Sequence, residues 1–130
     1  MSSRFEAAVA AICAESGWTP AESPNDARQV HFTLPEMEFT LSAPDDRYLR
    51  FLHLLAVAPD ETPSTMARAL AHMAAAAAHS RKTILSFHKD AFYLHLIVDL
   101  ATTRPEEIPV ICQAFLNDCD WWRQNRSFYT

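Results

Sequence analysis

Glycine is almost absent from this chain, since Gly17 is the single one among 130 residues. Phosphate-binding loops such as GxGxxG and the P-loop need several glycines, because their backbone N–H groups must approach the phosphate closely. Nucleotide-dependent chemistry therefore has no support in the sequence, and no cofactor is expected. The predicted place of Gly17 is the end of a helix, where a residue with positive φ is most often required.

Basic residues and long apolar runs are also scarce. Eleven lysines and arginines stand against sixteen acids, for a net charge of −5. Phosphate backbones are bound by clustered Lys and Arg, so we expect no nucleic-acid partner. No apolar run approaches the roughly 20 residues of a membrane-spanning helix, so we expect no membrane insertion. Cys13, Cys112 and Cys119 form an odd set without a CxxC pair, which predicts buried thiols in the reducing cytoplasm.

The first third of the chain predicts a helix followed by a hairpin. Ser3 and Glu6 fit a capping box, and apolar residues recur at helical spacing up to Ser16. Residues 18–27 are polar with two prolines and predict a loop leading to a sheet edge. Two alternating segments then meet at Pro35-Glu36. The cross-strand pairs predicted by that turn are Leu34 with Met37, Phe32 with Phe39 and Val30 with Leu41.

A longer strand follows in residues 48–58, YLRFLHLLAVA. Apolar residues on both of its faces are typical of a strand that is covered on both sides. The predicted faces are Leu49, Phe51, Leu55 and Val57 on one side and Leu52, Leu54 and Ala56 on the other. Thr62 and Pro63 then predict the start of a helix that runs through an alanine-rich tract to Ser80.

A second hairpin and a last helix complete the pattern. A turn at Asp90-Ala91 places Phe87 opposite Leu94 and Leu85 opposite Leu96. Thr103 and Glu106 fit a capping box for the last helix. Its predicted apolar stripe is Ile108, Ile111, Cys112, Phe115, Cys119 and Trp122. The sequence therefore predicts one α+β domain over residues 1–130, with an antiparallel sheet of about five strands and three helices in the order α-β-β-β-α-β-β-α.

Histidine and cysteine do not form a recognisable catalytic or metal site. His72 and His79 are seven residues apart, about 10 Å along a helix, which is too far to share one ion. His88 and His95 are predicted as diagonal neighbours in the second hairpin, with no obvious third ligand beyond a nearby aspartate. Each cysteine lies on an apolar helix stripe, where a thiol is usually inert. We therefore predict no metal site and no enzyme.

The tract ALAHMAAAAAHS, residues 69–80, is the most unusual segment. Alanine is the best helix former, and its small side chain lets another surface approach the backbone closely. The tract predicts a helix packed either on its own sheet alone or on that sheet and a second copy of the molecule.

The order of elements resembles that of the specificity (class I) chaperones of bacterial type III secretion systems, the Tir-chaperone-like family. The residues that carry the resemblance are YLRFLHLLAVAPDETPSTMARALAHMA, then TILSFHKDAFYLHLIVDL, then a last helix ending in DCDWWRQ. The resemblance spans nearly the whole chain and is one of pattern and order. The alanines and His79-Ser80-Arg81-Lys82 depart from the asparagine and glycines that family members often carry there.

The resemblance implies a homodimer in the bacterial cytoplasm that binds the extended N-terminal segment of a secreted effector and keeps it secretion-competent. It adds the ATPase of the secretion apparatus as a candidate partner. The residues expected to bind the effector are Phe5, Val9, Ile12, Val30, Phe32, Phe39 and Leu41. Those expected in the dimer interface are Leu52, Leu54, Leu70, Met73, Ala74, Ala77 and Ala78.

Two alternatives stay open at this point. One is a small regulatory or adaptor domain of similar α+β fold that binds a folded protein partner. The other is an enzyme that uses His88, His95 and a nearby acid.

Overall fold

The computed structural model of the protein describes residues 3–23, 28–57, 82–88 and 91–124. Two α-helices, a 3-10 turn and six strands lie within these ranges. In chain order they are α1 (Arg4–Ser16), β1 (Ala21–Glu22), β2 (Gln29–Thr33), β3 (Glu38–Ser42), β4 (Tyr48–Val57), β5 (Ile84–His88), β6 (Ala91–Asp99), the 3-10 turn (Pro105–Glu107) and α2 (Ile108–Gln124). The helix predicted for 62–80 lies outside the described residues.

Helix α1 begins and ends where its sequence predicts. The Ser3 hydroxyl accepts a hydrogen bond from the Glu6 backbone N–H at 3.0 Å, so the serine half of the predicted capping box is confirmed. At the other end, Gly17 has a φ of 78°, and its N–H donates to the Cys13 carbonyl at 2.8 Å. The predicted glycine cap is therefore confirmed as well. The buried residues of the helix are Phe5, Ala8 and Ile12.

The six strands form one antiparallel sheet in the order β1-β2-β3-β4-β6-β5. The predicted α+β class is confirmed, but the sheet has six strands where five were expected. The additional strand, β1, pairs with β2 through two exposed residues. It lies in the segment predicted as a loop, because two residues beside a proline are too few to show a periodic pattern.

The register of the first hairpin agrees with the prediction. Phe32 lies opposite Phe39 and Val30 opposite Leu41. The Leu34 N–H donates to the Met37 carbonyl at 2.8 Å, which closes the ladder beside the turn. Since a slip by one residue would turn the apolar side chains to the other face, burial of one face determines this register strongly.

The predicted register of the second hairpin is wrong by two residues. Leu85 lies opposite Leu94, and Phe87 opposite Phe92. The connection therefore falls at residues 89–90, outside the described part of the chain, and Ala91 belongs to β6. A shift by two residues keeps every side chain on its predicted face, so alternation alone cannot distinguish the two registers.

Strand β4 contains a register shift between Leu54 and Ala56. Beyond it, Ala56 pairs with Phe92, which is buried on the same side of the sheet as Phe51. The prediction that Ala56 shares a face with Leu54 is therefore wrong. A bulge inserts one residue into a strand and reverses the alternation after it. The bulge therefore moves Ala56 to the face that carries Phe51.

Helix α2 is preceded by the 3-10 turn and carries the predicted stripe. Its buried residues are Ile108, Cys112, Phe115, Cys119 and Trp122, and Ile111 is partly buried beside them. The N-terminal contact is one residue later than predicted. The Glu107 carboxylate accepts from the Arg104 N–H at 2.8 Å, because the first turn starts at Pro105.

Both helices lie on the same face of the sheet, which we call the inner face. The Phe115 ring of α2 lies 6.2 Å from Phe39 and 5.3 Å from Phe51 between ring centroids, and α1 contacts α2. The opposite, outer face carries the alternate residues of the three strands β4, β6 and β5. They are Tyr48, Arg50, Leu52 and Leu54, then Tyr93, His95, Ile97 and Asp99, then Ile84, Ser86 and His88.

The turn between β3 and β4 anchors α1 to the sheet. Asp46 accepts hydrogen bonds through its carboxylate from the backbone N–H groups of Arg4 at 3.1 Å and Phe5 at 2.8 Å. The free N–H groups of a helix start favour a carboxylate at this position. These bonds, the one to Phe5 foremost, hold the pKa of Asp46 below its usual value. Among the described residues, no helix is long and apolar enough to cross a membrane.

Candidate functional site

An open groove lies where the first hairpin meets the end of α1 and the second half of α2. Its volume is about 420 Å³. Among the described residues it is lined by Trp18, Leu34, Pro35, Glu36, Met37, Gln113, Leu116, Asn117, Asp120 and Arg123. We call it the Trp18 groove. Four of its apolar side chains are partly buried and pack against the core, so they offer a firm but accessible apolar surface: Trp18, Leu34, Met37 and Leu116.

The wall formed by Trp18 is supported by a layer of phenylalanine rings. The indole stands edge-on to Phe32 at 6.0 Å and to Phe39 at 6.4 Å between centroids. The two phenylalanine rings stack on each other at 5.0 Å across the hairpin. Aromatic pairs in these arrangements add to the free energy gained by burial, so the wall is held in place before anything binds.

The mouth of the groove is acidic. Glu36 is exposed at the hairpin turn and makes no ion pair with the described residues. Arg123 donates to the Glu36 backbone carbonyl at 2.8 Å and to the Asp120 carboxylate at 3.4 Å. Because the guanidinium is directed to Asp120 and to a backbone oxygen, the Glu36 carboxylate stays open to solvent. A cationic group of a ligand would find a favourable site there.

The structure brings the seven residues predicted to bind the effector into one core but leaves them little free surface. Six of them are between 0 and 7% exposed, and the seventh, Val9, is partly buried. The six are Phe5, Ile12, Val30, Phe32, Phe39 and Leu41. Their side chains hold the single chain together, and the effector contact predicted for the set stays a prediction. Phe32 and Phe39 lie directly beneath Trp18.

The sequence pattern does not identify the accessible residues of the groove as candidate binding residues. The alternating pattern places Leu34 and Met37 on the apolar face of the hairpin, and Leu116 lies outside the predicted stripe of the last helix. Trp18 directly follows the helix-ending glycine, a position at which an apolar residue commonly packs beside the helix end instead of remaining in an exposed loop. That position is the signal that could have identified it.

Two residues of the predicted dimer interface lie within the described strands. Leu52 is partly buried and Leu54 is 47% exposed on the outer face. Leu70, Met73, Ala74, Ala77 and Ala78 lie outside the described residues. Three further apolar residues of the outer face are similarly exposed, and neither α1 nor α2 covers them. They are Tyr48 at 44%, Ile84 at 52% and Ile97 at 49%.

The observed register separates the two histidines of the second hairpin. His88 pairs with Ala91, whereas His95 pairs with Ile84, so they lie at opposite ends of the ladder. The Ser86 hydroxyl is hydrogen-bonded to Nε2 of His95. Burial, with a smaller contribution from the charge of Arg50, lowers the pKa of His95. Within the described ranges, no three His, Cys, Asp or Glu side chains are placed to hold a metal ion.

The cysteines are free thiols in apolar surroundings. Cys112 and Cys119 are buried in α2, and Cys13 is partly buried in α1. Burial raises the pKa of Cys112 to about 12, and it also raises the pKa of Cys119 and of Cys13. The thiolate is the reactive form of cysteine, so these side chains act as small apolar groups.

No family model and no curated protein matches the chain. Solved structures do match. A chain of the HopA1-SchA chaperone-effector complex is similar with a TM-score of 0.67 and 12% identity, covering 93% of this chain and 94% of that one. A chain of the ExsC-ExsE complex gives 0.63 and 16% identity, covering 88% and 90%. An uncharacterized protein from Methanothermobacter thermautotrophicus gives 0.60 and 10% identity, covering 94% and 98%.

These similarities define the fold. The first of these structures is a chaperone-effector complex, and for the first two the agreement extends over about nine-tenths of the chains compared. The fold of this protein is therefore type III secretion chaperone-like, as the order of elements in the sequence predicted.

Proposed function

We propose that this protein is a type III secretion chaperone. It acts in the bacterial cytoplasm as a homodimer, binds the extended N-terminal segment of a secreted effector, and keeps that segment secretion-competent without catalysing a reaction. The observation that carries the proposal is the fold, which is shared over 93% of the chain with a chain of a chaperone-effector complex. The ATPase of the secretion apparatus is a further proposed partner, and no residue is assigned to it.

The Trp18 groove supports an extended ligand. Its volume lies within the range of pockets that bind single ligands or side chains, and it is open along one side. A segment without its own fold can place an apolar side chain in such a groove. The proposal therefore assigns effector contact to Trp18, Leu34, Met37 and Leu116. Phe32 and Phe39, which are 1% exposed, support the wall from below.

The edge strand β1 offers little for pairing with an added strand. The Ser23 N–H donates to the Gln29 carbonyl at 3.3 Å, and Ala21 pairs with His31. The alternate residue Glu22 therefore directs its backbone groups away from the sheet. Positions 20 and 24 are prolines, which have no N–H to donate. Prolines on an edge strand oppose the addition of another strand. Side-chain contacts in the groove are thus the better route of recognition at this end of the sheet.

A second apolar groove extends the surface available to a long segment. It has a volume of about 450 Å³ and lies between the C-terminal half of β6 and the start of α2. Val110 lines it and is 72% exposed. A chaperone for an extended segment needs several separate contacts rather than one deep pocket, and two shallow grooves fit that need.

The outer face supports the homodimer. Tyr48, Leu54, Ile84 and Ile97 are each 44 to 52% exposed and share that face. Exposed apolar side chains gathered on one face mark a partner site more often than single scattered ones do. We propose that this face, together with the alanine tract of residues 69–80, forms the contact between two copies.

The experiment that tests the function is co-expression with the products of neighbouring genes, followed by purification and limited proteolysis. A chaperone protects an N-terminal fragment of several dozen residues of one product, which stays bound to the dimer. We expect Met37→Glu to lower the amount of bound fragment, because it places a charge in the Trp18 groove. Ala101→Glu is the control, since it adds the same charge at an exposed turn beyond β6.

Two other outcomes would contradict the proposed chaperone function. A protein that retains no fragment from any neighbouring product is not a chaperone of this kind. A bound partner that survives proteolysis as a whole folded domain would instead establish the adaptor alternative.

A further inference from the structure

The Trp18 groove combines an apolar floor with an acidic mouth, and this combination restricts what it can bind. Glu36 and Asp120 stand at the mouth, and Asp120 remains 56% exposed in spite of its contact with Arg123. The Arg123 side chain is only 23% exposed and its guanidinium contacts Asp120, so it offsets one of the two charges. One unopposed carboxylate, that of Glu36, therefore defines the sign of the potential at the mouth.

We propose that the segment bound in this groove carries one large apolar side chain with a lysine or arginine within two residues of it. The inference rests on the proposed function and specifies the chemistry of the segment. The apolar side chain enters between Trp18, Met37 and Leu116, and the cationic side chain meets Glu36. A segment with an acidic residue beside the apolar one binds more weakly, because the two carboxylates repel each other.

Preorganisation of the groove favours the apolar contact. Trp18 is held by two phenylalanine rings, and these rings are held by the hairpin and by α2. A ligand therefore does not have to order the wall when it binds, and less of the binding free energy is lost to ordering.

The geometry of an extended chain accounts for the spacing. Such a chain advances about 3.3 Å per residue, and side chains two apart lie on the same side, about 6.6 Å from each other. A lysine or arginine next to, or two residues from, the apolar anchor can therefore reach the mouth while the anchor stays in the groove. The side-chain amides of Gln113 and Asn117, which are exposed and bonded to each other at 3.1 Å, line the same groove. Their remaining polar atoms can bond the backbone of the segment.

Three fluorescein-labelled synthetic peptides test the proposal. They share a serine- and threonine-rich sequence with one central leucine, and the residues on either side of it are lysine, serine or glutamate. Binding to the full chain is measured by fluorescence polarisation. We expect the order lysine, serine, glutamate in affinity, with a step of about two- to five-fold for each charge contact. The step shrinks as the salt concentration is raised, because exposed charges are screened.

Glu36→Gln is the decisive variant, since it keeps the size of an exposed side chain and removes its charge. It should abolish most of the difference between the lysine and glutamate peptides. Glu106→Gln is the matched control: Glu106 is also exposed but lies in the 3-10 turn, about 20 Å from Asp120 along the axis of α2. It should leave the difference unchanged.

Equal binding of the three peptides, a difference that survives Glu36→Gln, or the absence of binding by all of them would overturn the inference. The co-expression experiment separates this result from a failure of the proposed function. If the dimer still protects an effector fragment, the chaperone proposal stands and only the requirement for a basic residue is wrong.

Discussion

His53 is a buried polar side chain on the inner face of the sheet. It is 6% exposed, and its Nδ1 lies 2.8 Å from the Glu38 carbonyl, so Nδ1 carries the proton and donates. Nε2 has no hydrogen-bond partner among the described residues. Burial is the main cause that lowers the pKa of His53, and the charge of Arg123 lowers it further. The neutral form of the ring is the one that the fold accommodates.

This arrangement makes the stability depend on pH. In the unfolded chain histidine titrates near pH 6.5, whereas the pKa of folded His53 is lower. Between the two values the unfolded state binds more protons, so the free energy of unfolding falls as the pH drops below about 6.5. We expect the urea midpoint to decrease from pH 7 to pH 5, with a smaller decrease in His53→Gln.

His95, whose pKa is also lowered, contributes with the same sign. The exposed His88 serves as the control position for a His88→Gln variant. A pH dependence that is identical in the wild type and in both the His53→Gln and His95→Gln variants would contradict the assignment.

Phe115 shows how much of the stability depends on a single core side chain. It is fully buried and contacts Phe39 and Phe51, which links α2 to two central strands. Phe115→Ala should lower the free energy of unfolding by about 3 to 5 kcal/mol, because it removes buried apolar surface and leaves a cavity. Val110→Ala, on the same helix but 72% exposed, should change it by less than about 0.5 kcal/mol in the same urea titration.

At the scale of elements, α1 depends on contacts at both of its ends. The Asp46 carboxylate binds its first N–H groups, and Gly17 closes its last turn. These contacts join the helix to the turn between β3 and β4 and direct the chain toward Trp18. The position of one wall of the Trp18 groove therefore follows from how α1 ends.

Gly17→Ala tests this dependence. At a φ of 78° an alanine is strained although a Cβ atom would meet no neighbour within 4 Å. We expect a loss of about 1 to 2 kcal/mol in the free energy of unfolding. Gly17→Asn should cost less, because asparagine tolerates this conformation better. Equal losses for the two variants in urea titrations would show that packing, and not backbone conformation, is responsible.

For the assembly of the protein, the exposed apolar side chains of the outer face predict a homodimer. Leu54→Arg places a charge among the exposed apolar residues of this face, and we expect the variant to be a monomer. Sedimentation or light scattering measures the mass directly. Ala14→Arg is the control, because Ala14 is also exposed but lies on α1, which packs on the inner face of the sheet. A Leu54→Arg protein with the mass of a dimer would exclude this face from the contact.

Much of the architecture was determined by the sequence itself. Ser3 and Gly17 define the ends of α1, the alternation around Pro35-Glu36 defines the register of the first hairpin, and the stripe from Ile108 to Trp122 defines α2. Each of these is a local signal, because a cap, a turn or a helical period involves residues that are close in the chain. Their order was enough to predict the type III secretion chaperone-like fold.

The division of the apolar residues into core and groove depends on how the elements pack and cannot be read from the sequence. Phe32 and Phe39 are as apolar as Trp18 and Met37 in the sequence, yet the first two are buried and the other two line the Trp18 groove. The two-residue shift of the second hairpin, which separates His88 from His95, likewise leaves the alternating pattern unchanged. Exposure and long-range register depend on how separate elements pack together, and the pattern of one segment does not contain that information.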